Sequence, residues 1–72
     1  MKLNYIIEKD KNGYYGYCPE LDGCHTQGES YEETKANLLE AIELYVSTLS
    51  EQEIELLKSK QYFIESIELS YA

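Results

Sequence analysis

The feature that most constrains this chain is a change of hydrophobic period at Ser30. Before it, side chains alternate and turn signals recur every few residues. After it, apolar residues fall three and four apart. A chain that switches from a period of two to one of 3.6 must join a small sheet to a helix.

The alternating part begins with Leu3, Tyr5 and Ile7 on one face and Asn4 and Ile6 on the other, which predicts a strand over 3–7. Asp10-Lys11-Asn12-Gly13 follows, and Asn-Gly is a strong hairpin signal because both residues tolerate positive φ. Tyr14 to Cys18 reads as the return strand, with Gly16 marking a bulge or a close approach by another group. Pro19 to Gly23 is a loop with a second turn signal at Asp22-Gly23, and Cys24 to Gly28 fits a third strand.

Ser30-Tyr31-Glu32-Glu33 then has the form of a capping box, with Ser30 accepting from the Glu33 amide and Glu33 reaching back. The helix it starts runs to about residue 49. Leu38, Ala41, Ile42, Tyr45 and Leu49 form its apolar stripe, and Leu39 and Val46 form a flanking ridge available to a partner. Ser50-Glu51-Gln52-Glu53 is a second box, and Ile54, Leu57 and Lys58 suggest a short helix behind it. Tyr62 to Leu69 is apolar and β-branched enough for a last strand, although Ile64 and Ile67 are three apart. The expected architecture is α+β, a β-β-β-α-β order with the short second helix optional, in one domain over 1–72.

Seventy-two residues make a modest core. A chain of this size buries only about 60% of its unfolded surface, so a homo-oligomer or a bound partner is expected to supply the rest. Six lysines, no arginine and fourteen carboxylates give a net charge of -8, which opposes nucleic-acid binding and favours encounter with a basic protein. Eight tyrosines against one phenylalanine suit half-buried sheet faces and interfaces. The start has too short an apolar run for a signal peptide, and no stretch approaches the ~20 apolar residues a membrane span needs. A cytoplasmic location with Cys18 and Cys24 reduced is the expectation.

Few residues invite chemistry. Cys18, Cys24 and His25 lack the spacing and the fourth ligand of a structural zinc site, so neither metal nor cofactor is expected. Adjacent Cys24 and His25 would point to opposite faces of a strand, and Cys18 could reach His25 only across a strand pair, with no oxyanion donor in view. Asp10, Glu20 and Asp22 lie in expected turns and do not form a two-metal nuclease set. The chain reads as a binding protein and not as an enzyme.

The stretch from Tyr14 to Glu33 resembles the HicB-like antitoxin family: an aromatic strand, the Pro19-Glu20-Leu21-Asp22-Gly23-Cys24 turn, the Gln27-Gly28 pair and an acidic helix start. Asn37-Leu38-Leu39-Glu40-Ala41-Ile42 is similar to the family's Asn-x-x-Glu-Ala-Ile helix, and the likeness extends over about residues 3–48. The resemblance implies a truncated ribonuclease H-like fold without catalytic acids. It also implies a small basic HicA-like toxin as partner, an mRNA-cleaving enzyme neutralised when its active site is covered. Many members carry a further DNA-binding domain; with the sequence ending at Ala72 and no basic segment, direct DNA binding is not expected. Pro19, Leu21, Gly23 and Gly28 read as fold-makers, while Tyr15, Tyr17, Glu20, Asp22, Glu32 and Glu33 are the candidate partner contacts. Two other readings are a solitary homo-oligomeric domain with another protein or small-molecule partner, and a degenerate ribonuclease H-like nucleic-acid binder. A dimer through an edge strand or the 62–69 segment is compatible with each.

Overall fold

A computed structural model describes residues 1–71. Three antiparallel strands, β1 (Ile6–Asp10), β2 (Gly13–Tyr17) and β3 (His25–Gly28), are followed by two helices, α1 (Tyr31–Ser47) and α2 (Glu51–Ser59). The sheet order is β1-β2-β3, so both outer strands keep a free edge. The α+β class is as expected, but the element order is β-β-β-α-α: the short second helix is present, and the last strand expected over 62–69 is not.

The first hairpin turns on Lys11 and Asn12, with Asp10 opposite Gly13. Asn12 stays out of the left-handed region and Gly13 alone of the pair takes a positive φ, 128°. Asp10 supplies what the turn needs by accepting from the Asn12 amide at 2.8 Å, an Asx turn. The second connection is two linked turns. The Leu21 amide donates to the Cys18 carbonyl and the Cys24 amide to the Leu21 carbonyl, both at 3.1 Å. Gly23, at φ 77°, occupies the position where such a turn demands a residue without a Cβ.

β1 starts three residues later than its alternating pattern suggested. The Asn4 amide is taken by the Glu20 carboxylate at 3.1 and 3.2 Å, and Asn4 Nδ2 donates to the same group at 2.8 Å. A backbone group held by a side chain in the 19–23 loop cannot join a strand ladder.

α1 lies on one face of the sheet. A Cβ on Gly16 would meet Leu38 Cδ2 at 3.0 Å and Thr34 Cγ2 at 3.2 Å, so the glycine marks a close approach of helix to strand. Gly28 is tighter, with Thr34 Oγ1 at 2.5 Å and the Thr34 amide nitrogen at 3.1 Å from such a Cβ. Leu38 and Thr34 are fully buried there. Farther along, Cys18, Leu21, Cys24 and Leu57 form a small core against Leu3, Ala41, Ile42, Tyr45, Val46 and Leu49. Val46 therefore belongs to the core and not to an open ridge, whereas Leu39 is exposed.

The Ser30 box is half made. Ser30 Oγ accepts from the Glu33 amide at 3.1 Å, but the second bond at this cap comes from Thr34, whose hydroxyl donates to the Ser30 carbonyl at 2.8 Å. The Ser50 box is complete: Ser50 Oγ accepts from the Glu53 amide at 3.1 Å, and the Ser50 amide donates to Glu53 at 2.9 Å. That bond holds the Glu53 carboxyl below its usual range. Beyond Lys60 the chain has no regular secondary structure and is exposed, leaving beside Lys2, Asn4 and Glu20. A strand needs an edge to pair with, and residues 61–71 pair with neither outer strand.

Candidate functional site

Strand register divides the sheet residues between two faces. Gly16 faces α1, so its neighbours Tyr15 and Tyr17 face away from it. Glu8 and Gln27 lie opposite Tyr15, and Ile6 and His25 lie opposite Tyr17. These six side chains make up an outer face that neither helix covers.

Its centre is aromatic. The Tyr15 and Tyr17 rings lie 5.7 Å apart at 35°, and Tyr15 and His25 lie 5.8 Å apart at 33°. The two tyrosines are half-buried and the histidine is exposed. Such rings offer a large contact area at low entropic cost, with polar tips for hydrogen bonding. A shallow depression of about 340 Å³ runs from Glu8 across Tyr15 and Tyr17 to Asp22 and His25. A second, of about 540 Å³, opens at the hairpin end among Glu8, Asp10, Asn12, Gln27 and Glu29. No lysine lines either one, so the face is aromatic at its middle and acidic around its rim.

The six candidate contacts do not stay together. Tyr15, Tyr17 and Asp22 share the outer face. Glu20 turns inward, where it is 8% exposed, binds Asn4 and accepts from Cys18 Sγ at 3.5 Å. It is a structural carboxylate that ties the chain start to the loop. Glu32 and Glu33 are exposed in the first turn of α1, on the other layer, where they favour the helix N-terminus. Glu8 and His25 are outer-face residues that the motif reading passed over. Cross-strand register was the signal, since each sits directly opposite a tyrosine.

The chemistry available is limited. Cys18 and Cys24 belong to the small core, whereas His25 is exposed. The hydrogen-bond partner of the Cys18 thiol is Glu20, not His25. Burial pushes the Cys18 thiol up to about 11, and the Cys24 thiol also upward, which leaves both protonated at neutral pH and poor nucleophiles. Among the described residues, no group of three or more His, Cys, Asp or Glu side chains could hold a metal ion. Among the described residues, no helix is long and apolar enough to cross a membrane.

An uncovered face with an aromatic centre and an acidic rim suits a protein partner. Comparison with known families agrees: the model of the HicB-like antitoxins of bacterial toxin–antitoxin systems matches residues 4–69. The chain belongs to the HicB-like antitoxin family. Among similar proteins is a UPF0150 protein of Helicobacter pylori strain J99, 47% identical over 72 residues and covering 100% of both chains. A UPF0150 protein of Archaeoglobus fulgidus is 51% identical over 47 residues, 64% of this chain and 68% of its own. One from Synechocystis is 49% identical over 45 residues, 61% and 57% of the two chains. No solved structure matches. Membership of the HicB-like family favours a binding role on the antitoxin side of such a system over a catalytic one.

Proposed function

We propose that this HicB-like chain neutralises a small basic HicA-like toxin, an mRNA-cleaving enzyme, by seating the outer face of its sheet over the toxin's active site. The observation that carries the reading is that face: Tyr15, Tyr17 and His25 stacked at the centre, with Glu8, Asp10, Asp22 and Glu29 around them and no lysine lining it. A surface that must grip RNA is cationic, and an acidic, aromatic face complements it in charge and in contact area. The same charge would repel RNA from the covered site. The chain acts as a binding protein without catalysis of its own, in the cytoplasm.

The test is co-expression with the neighbouring small basic reading frame. The two proteins should co-purify, and growth arrest by the basic protein should be relieved. Replacing Tyr15 and Tyr17 together by alanine should weaken the complex about 10- to 100-fold, the range expected for central aromatic anchors. Circular dichroism should stay unchanged, because neither ring packs under α1. Association should also slow as salt is added. Unrelieved arrest with no complex defeats the proposal. If Glu32→Lys and Glu33→Lys abolish binding while the tyrosine pair does not, docking moves to the helix layer.

A further inference from the structure

We infer that residues 62–71 form a strand that docks on the β1 edge of a second copy of this chain, so that two copies exchange arms in a closed dimer. The arm has the sequence of a strand without the partner a strand needs. Ile67, Leu69 and Tyr71 alternate with Ser66, Glu68 and Ser70, and Tyr62, Phe63 and Ile64 precede them. Phe63, Ile67, Leu69 and Tyr71 are 79%, 82%, 73% and 96% exposed in the single chain.

Surface area supports the same conclusion. A folded monomer of 8.4 kDa is expected to expose about 4,600 Å². This chain exposes 6101 Å². The excess is about 1,500 Å², well above the roughly 800 Å² per partner of a stable interface. The radius of gyration, 14.4 Å, exceeds the about 11 Å of a compact domain of this length, and the long axis reaches 48 Å.

One chain carries both halves of the missing contact, an unpaired strand and open sheet edges. Of the two edges, β1 fits. Ile6 and Ile7 give it apolar side chains on both faces, whereas β3 (His25-Thr26-Gln27-Gly28) has none and runs straight into α1. Charge does not oppose the pairing: Lys9 and Lys11 offset Glu8 and Asp10 along β1, Lys2 lies beside its start, and the arm brings Glu65 and Glu68. Because each copy gives an arm and receives one, a two-fold exchange closes with no edge left to propagate from β1.

Sedimentation equilibrium on the full chain should return twice the 8.4 kDa monomer mass. The Ile67→Asp/Leu69→Asp variant should weaken the dimer at least 100-fold and leave the circular dichroism of the monomer intact, since both side chains are exposed there. Mixing Lys9→Cys chains with Ser70→Cys chains, then adding a short bismaleimide, should link two different chains. A monomer at all concentrations overturns the inference, whether the arm stays free, folds back on its own β1 or orders only on a toxin. A dimer untouched by the aspartates overturns it too, as does linking of Ser70→Cys chains to Gln27→Cys chains and not to Lys9→Cys chains. None of these readouts involves the toxin, so they stand apart from the proposed function.

Discussion

The sheet with α1 and the segment from α2 onward are built from similar proportions of apolar residues but held in different ways. In the first, helix and strands approach so closely that glycine is required at two strand positions, and Leu38 and Thr34 are sealed between them. In the second, one residue, Leu57, enters the core; the remaining order comes from a capping box, and the apolar residues of the arm face solvent. Apolar content alone does not bury a segment. A second surface has to cover it, and α1 has one in the sheet while the apolar residues of the arm stay uncovered in the single chain.

Leu38→Ala and Phe63→Ala put the widest gap between the two regions. The first removes a fully buried side chain and should cost about 2–5 kcal/mol, enough to unfold much of a domain this small. Phe63→Ala should change the stability of the monomer by less than about 0.5 kcal/mol, as surface substitutions do. Urea denaturation of the monomer measures both, and comparable losses would erase the distinction.

Gly28→Ala tests the close approach itself. The new methyl would sit 2.5 Å from Thr34 Oγ1 and 3.1 Å from the Thr34 backbone nitrogen, which cannot swing away. A loss of about 1–3 kcal/mol is expected for such overpacking, read as a lower urea midpoint with an unchanged slope. Adding Thr34→Ser should recover little of it, because serine keeps the hydroxyl oxygen and the backbone contact persists.

Ser50→Ala probes how the second region keeps its helix. Losing this N-cap should cost about 1 kcal/mol, visible as fraying of α2 in amide exchange while α1 stays protected. A smaller effect concerns pH. The Glu53 carboxyl is held low by the Ser50 amide, so its contribution is present above the ordinary carboxyl range and is lost as pH falls through its depressed folded value. Exchange at α2 should therefore speed up in acid before exchange at α1 does, once the intrinsic pH dependence is removed.

The three strands, α1 and the serine caps were legible in the sequence, and α2 only as an optional short helix, because each rests on neighbours a few residues apart: Asn12-Gly13, Asp22-Gly23, the Ser30 and Ser50 caps, and the stripe from Leu38 to Leu49. Half of the candidate site was legible too, since alternation alone put Tyr15 and Tyr17 on one face. Glu20 was not. As a loop carboxylate it looked like a contact residue, and only the return of the chain start to within hydrogen-bonding distance, sixteen residues away in sequence, made it internal. The same bond moved the start of β1.

By itself, then, the sequence determined the kinds of elements and their order as far as α1, and the acidic character of the whole, because these depend on local dihedral preferences and on composition. Tertiary structure decided the rest. Strand register set Glu8 and His25 beside the tyrosines, and the packing of α1 chose which sheet face stayed open. Residues 62–71 have the alternation of a strand but pair with neither open edge of their own sheet, since pairing depends on what another stretch of backbone brings alongside.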